Sequence, residues 1–105
     1  MNDGRPVKHL RITVAVAAHR IRFAAVGPLD AANGPLLTEA VRAGLGRHRA
    51  AVCEVGAELV TDVDRSGAAA IEACRVEAER RGLVFILTGA PARLAALLDS
   101  GHRRG

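Results

Sequence analysis

Asp62, Asp64, Arg65, Ser66 and Gly67 crowd one short stretch, "TDVDRSGAAA". These residue types at this spacing offer three kinds of chemistry. Two carboxylates this close could share a proton, but on a loop of a small protein they more often solvate and cap a helix. A serine hydroxyl can cap or sit in a first turn, accept a phosphate, or act as a nucleophile. The nucleophile reading fails for Ser66: no Gly-x-Ser-x-Gly surrounds it, and no histidine has a reason to be near. An arginine at such a point is either solvated or forks its guanidinium onto a carboxylate of another molecule, and Arg65 is open to both. Asp30, in "VGPLDAANGP", has the same duality. It is either an acid near the positive end of a helix or part of a partner surface.

Other chemistries lack their residues. "GLGRHR" has two glycines in phosphate-loop order but follows a helical pattern and lacks the third. His9, His19, His48 and His102 are scattered, with no acid or cysteine at ligand spacing, so no metal or cofactor is expected. Cys53 and Cys74 form no CxxC and fall on expected buried faces, where a free cysteine acts as a small hydrophobe. No catalytic residue is expected, and the chain is not read as an enzyme.

The 105 residues suit one domain. Half are apolar but only 2% are aromatic, so the core must be built from Ala, Val, Leu and Ile. The net charge of +4 permits nucleic-acid binding, yet the arginines are interspersed with acids and no aromatic platform exists for stacking on bases. The N-terminus has no signal-peptide pattern and no apolar stretch approaches the ~20 residues of a membrane span, so a cytoplasmic setting is expected.

Two strands come first: Leu10, Ile12, Val14 and Val16 share a half-buried face in "LRITVAV", and Ile21, Phe23 and Ala25 share one in "IRFAAV". They should form an antiparallel hairpin. After "GPLDAANGP", Asn33 is the expected N-cap of a helix with Leu37, Ala40, Val41, Gly44 and Leu45 inside, ending near Gly46. Ala50–Val55 reads as a central strand, and "GAELVTDVDR" as a connector. A helix from Ser66 buries Ala70, Ile71, Cys74 and Ala78 and stops at Gly82. "LVFILT" is a strand, and a last helix carries Leu94, Leu97 and Leu98 inward and ends at Gly101. Residues 1–9 are expected to be flexible, residues 10–101 to form the domain, and 102–105 to be a frayed basic tail. Strand–helix–strand crossovers make strands two, three and four parallel neighbours.

This order, with four motifs, resembles the STAS domain of bacterial anti-sigma factor antagonists. "VGPLD" (26–30) stands where that family has Gly-Glu-Leu-Asp. "VCEV" (52–55) matches its strand ending in an acid and an apolar residue. "VDRSG" (63–67) stands where it has Asp-Ser-Ser/Thr-Gly, and "RRGLVFILTGAPARLAALLDSG" matches its closing strand and helix. The resemblance implies an α/β STAS-like single domain, mostly parallel after an N-terminal hairpin, covered by helices and lacking the usual last strand and helix. It implies a non-catalytic regulator that binds an anti-sigma factor or a serine kinase through Asp30, Asn33, Asp62, Asp64, Arg65, Ser66 and Gly67. Arg65 stands at the family's phosphoacceptor position, leaving Ser66 as the one displaced candidate, and the connector before it looks about two residues longer than usual. A further alternative is a STAS subunit bound to the ATPase of a lipid-transport ABC complex. An exposed sheet edge would also invite homodimer pairing.

Overall fold

Alternating apolar and polar residues make Arg11–Ala17 (β1) and Arg20–Leu29 (β2) an antiparallel hairpin about the two-residue turn Ala18–His19. In the computed structural model, which describes residues 9–104, α1 (Gly34–Arg47), β3 (Val52–Val63), α2 (Arg65–Arg80), β4 (Val84–Thr88) and α3 (Ala92–Arg104) follow. The strands lie in the order β1-β2-β3-β4, with β2, β3 and β4 parallel. This is the expected α/β order and topology. The flexible segment expected at the N-terminus lies, up to residue 8, outside the described residues, as does Gly105.

One face of the sheet carries the core. Ile21, Phe23 and Ala25 of β2 and Cys53, Val55 and Ala57 of β3 join Leu37 and Val41 of α1, Ile71, Cys74 and Ala78 of α2, and Leu94 of α3 in a single cluster. All three helices therefore cover the same face. Both cysteines are buried, and burial pushes their thiols up to about 11 for Cys53 and about 12 for Cys74.

Three boundaries and one degree of burial differ from the sequence expectation. β2 continues through Gly27 and Pro28 to Leu29, and β3 continues to Val63, so the expected connector "GAELVTDV" is strand. The reason is long-range pairing. Between Ala24↔Gly56 and Val26↔Leu59, β3 takes three steps against two on β2, and it does so again between Gly27↔Val60 and Leu29↔Val63. Each shift is a bulge-like irregularity that absorbs one extra residue. Gly27, at φ 110, supplies a backbone conformation that other residues rarely adopt. α3 does not end at Gly101 but takes in the expected tail as far as Arg104. Gly82, by contrast, has φ +83 and does stop α2. Finally, the apolar face of β1 is only half covered: Leu10 is buried, but Val14 and Val16 are 47% and 51% exposed.

The opposite face of the sheet bears no helix and is covered by an ion-pair network. Arg20 Nη1 and Arg22 Nε each donate to the Glu54 carboxylate at 2.7 Å, and Arg22 Nη2 reaches Glu58 at 3.0 Å. Two glycines make room for it. A Cβ on Gly56 would collide with the Arg22 guanidinium, and one on Gly89 would collide with Glu58. Glu54 is only 7% exposed, and the Arg22 hydrogen bond, outweighing desolvation, holds its carboxyl below the ordinary carboxylate range.

Because the folded Glu54 binds a proton less readily than the unfolded one, its stabilisation is present above the ordinary carboxylate pKa and is lost as pH falls through the lower, folded value. Urea unfolding of the wild type should therefore show falling stability through the acid range. Glu54→Gln should be less stable at neutral pH and should show a shallower acid decline. Equal acid slopes for the two proteins would rule out this network as the source.

Candidate functional site

The candidate residues gather where the parallel strands β2 and β3 end. Asp30, just past β2, folds its side chain back on the chain: Oδ1 accepts from the Ala32 and Asn33 amides at 3.1 and 3.0 Å. Its carbonyl accepts from Gly34 at 2.7 Å. Asn33 occupies the N-cap position of α1 with helical backbone angles and makes no side-chain cap bond. The expectation that Asn33 caps α1 is thus corrected: with helical backbone angles its own carbonyl takes the Leu36 amide at 3.0 Å, and Pro35 has no amide for its side chain to meet. Asn33 itself is buried, and Pro35 sits in the first turn.

Asp64 plays the corresponding part for α2. It is extended, at φ −121 and ψ −173, and its Oδ1 accepts from the Gly67 amide at 2.9 Å. The Asp64 carbonyl takes the Ala68 amide at 3.0 Å. The helix thus begins one residue earlier than Ser66. Arg65 is its first residue, Ser66 its second, and both are exposed. Ser66 is a first-turn residue and not the cap. Arg65 makes no ion pair with any described residue. An exposed cation at that end of a helix is disfavoured by about 0.3–1 kcal/mol, and the adjacent Asp64 carboxylate offsets it.

Two glycines bring the helix starts together. Gly67 lies against the end of β2: a Cβ there would collide with the Leu29 carbonyl oxygen and stand 2.7 Å from its carbon and 3.0 Å from Val63 Cγ2. Gly34 lies against α2, where a Cβ would stand 3.2 Å from Ala70 Cβ and 3.6 Å from the Ser66 carbonyl oxygen. Asp30, Asp64, Arg65 and Ser66 therefore lie on one surface, while Asn33 and Gly67, expected to contact a partner, are buried beneath it. Asp62 opens to the side, near the end of β3. It lines a shallow recess of about 140 Å³ with Val60, Thr61, Val63, Pro91 and Arg93.

Two features of this region escaped sequence reasoning. Arg93, the first basic residue of α3, donates from Nε to the Val63 carbonyl at 2.8 Å and so ties α3 to the end of β3. That bond spans thirty residues and leaves no local signal. The second is a stripe of exposed small and apolar residues down α2 from Arg65: Ala69, Ala73 and Val76, the last 55% exposed. Its i, i+4, i+7 spacing was readable as a second apolar stripe on a helix that already had one. Among the described residues no cluster of His, Cys, Asp or Glu could hold a metal, and no helix is long and apolar enough to cross a membrane.

Replacing Asp64 with Ala should cost about 1 kcal/mol through loss of the cap. Gly67→Ala should cost more, about 1–3 kcal/mol, despite alanine's better helix propensity, because the added methyl has no space beside Leu29. Denaturant melts of the two variants check the ranking. A stabilised Gly67→Ala protein would contradict the close approach.

No protein-family model and no curated protein matches the chain. Solved structures do. The anti-sigma factor antagonist SpoIIAA in its unphosphorylated form is similar with a TM-score of 0.64 at 14% identity, covering 82% of this chain and 80% of that one. A sulfate transporter family protein from Wolinella succinogenes is similar with a TM-score of 0.65 at 19% identity, covering 84% of this chain and 70% of that one. An uncharacterised protein with a SpoIIAA-like fold from Shewanella loihica PV-4 is similar with a TM-score of 0.56 at 11% identity, covering 99% and 84%. At such identities the shared property is the path of the backbone. The four-stranded mixed sheet with its three helices on one face is the STAS-like fold of SpoIIAA.

Proposed function

We propose that this chain is a non-catalytic regulatory interaction domain that docks an anti-sigma factor or a serine kinase onto the joined starts of α1 and α2. The observation that carries the reading is the position of Arg65: the first residue of α2, exposed, and at the head of the exposed Ala69–Ala73–Val76 stripe. A guanidinium beside an apolar strip suits a partner helix or loop that offers a carboxylate and a small apolar patch. The likeness of the fold to SpoIIAA supports the partner class.

Phosphate does not switch this docking at position 65. A phosphoryl group on a serine at a helix start adds about −1.5 to −2 charges, which the helix dipole tolerates and a partner lying across it does not. Arg65 puts a permanent cation there and has no hydroxyl. Ser66, one residue on and exposed, is the only hydroxyl in the first turn of α2. The domain is thus a constitutive binder, a decoy, or a binder regulated by other means, acting in the cytoplasm.

A second reading is that the domain serves a transporter, a setting shared with one of the similar structures, which is from a sulfate transporter family protein. On this reading the same surface seats the ATPase subunit of a lipid-transport ABC complex, where no phosphate switch is required.

A pull-down with the full chain separates the two, by recovering a serine kinase or anti-sigma factor on the first reading and a transporter ATPase on the second. Arg65→Glu should abolish the capture in either case. Incubation with the recovered kinase and ATP should leave the intact mass of the wild type unchanged, while Arg65→Ser should gain one phosphoryl group. A phosphoryl group mapped to Ser66 of the wild type would overturn the unswitched reading.

A further inference from the structure

β1 is the least supported element of the sheet. Six of its seven residues are exposed, and only Ile12 is half-buried. Ile12, Val14 and Val16 pair with Ala25, Phe23 and Ile21, so they stand on the helix-bearing face of the sheet, yet Val14 and Val16 are 47% and 51% exposed. Arg11, Thr13, Ala15 and Ala17 are exposed on the other face. Among the described residues, the outer edge of β1 borders no strand. It also lacks the usual guards of an edge: it holds no proline, its register with β2 is unbroken, and its one charge, Arg11, is at its end.

The geometry of that edge can be read from the hairpin. The two-residue turn makes Ala17 and Arg20 a hydrogen-bonded pair, and bonding alternates from there. Ala15, Thr13 and Arg11 therefore bond to β2, while Ile12, Val14 and Val16 aim their amides and carbonyls outward. Reflected about Val14, the strand is self-complementary. Val14 faces Val14 and Ile12 faces Val16 in one continuous apolar row, while Thr13 faces Ala15 and Arg11 faces Ala17. The two arginines fall at opposite ends of the seam, roughly 20 Å apart by strand rise, well beyond a Debye length. No other symmetric register pairs the whole strand. Leu36, 51% exposed, and Ala43 lie one heptad apart on the side of α1 opposite Gly34, which faces α2.

We propose that β1 pairs antiparallel with β1 of a second copy of this chain about a two-fold axis at Val14, joining two four-stranded sheets into one of eight strands. The outward groups of Ile12, Val14 and Val16 then make six inter-chain backbone bonds, and the half-covered apolar face of β1 is buried against its own image. The pairing does not rest on the docking reading above. Arg65, Ser66 and the outer stripe of α2 lie across α1 from β1, so a paired molecule displays two such surfaces.

Light scattering coupled to gel filtration, on the full chain over a concentration series, should give a dimer mass for the wild type. Val14→Lys sets two like charges face to face at the axis and should give a monomer, with an unchanged circular dichroism spectrum because position 14 is exposed, and with a urea midpoint that does not rise with protein concentration as that of the wild type should. Val14→Cys should be captured as a covalent dimer by a short bis-maleimide, whereas Val84→Cys, on the other edge strand, should not. Cys53 and Cys74, buried and held as thiols, do not compete. A wild type that stays monomeric, a dimer that survives Val14→Lys, or capture through Val84→Cys in place of Val14→Cys would each overturn the proposal. So would a dimer that forms only after deletion of residues 1–8, since that segment, and not a second copy, would then hold the edge.

Discussion

The backbone of α2 touches the carbonyl of Leu29 at Gly67, at a distance that no side chain allows. From this contact the arrangement of the whole surface follows. It fixes the first turn of α2 against the last residue of β2, so the chain leaving β2 must turn beside α2 before it can begin α1. Gly34 completes the approach from the other side, meeting Ala70 and the Ser66 carbonyl. Two helix starts that would otherwise be separated by bulky side chains are thereby held as one unit.

Bringing two positive helix ends together has an electrostatic cost, which Asp30 and Asp64 meet in the same way. The Asp30 carboxylate takes two amides of the turn before α1, and the Asp64 carboxylate takes the Gly67 amide in the first turn of α2. The aspartates are therefore occupied inward. The groups left for another molecule are the side chains that the first turn of α2 points away from the protein, Arg65 and Ser66, and the small residues below them. The similar structures include an anti-sigma factor antagonist and a sulfate transporter family protein on one backbone plan.

The order and type of every element were legible because each carries its own periodicity: two residues for the strands, and an i, i+3, i+4 stripe for the helices. What was not legible is decided by residues far apart. Gly27-Pro28 and "GAELVTDV" look like loops by local preference, and they are strand because they pair with each other across two register shifts. Asn33 and Asp30 are both good caps by type, and only the path of the turn decides that the aspartate closes the loop before α1 while the Asn33 side chain makes no cap. Gly82 and Gly101 follow the same kind of helix pattern, yet Gly82 adopts positive φ and Gly101 remains helical. Alternation in β1 correctly grouped its apolar residues on one face but says nothing about how far α1 extends over them.

Gly56 and Gly89 act as seats for side chains on the bare side of the sheet. A methyl group at position 56 would meet the tip of a flexible arginine and not the backbone, so the strand itself would suffer little. The guanidinium would be unseated instead, and the Glu54 carboxylate beneath it would be uncovered, converting a flat neutral panel into a negatively charged notch at the middle of the sheet. Residues 20, 22, 54, 56, 58 and 89 are accordingly bound into one heritable unit, in which the absence of a side chain at two places is as much a part of the charge arrangement as the four ionised groups.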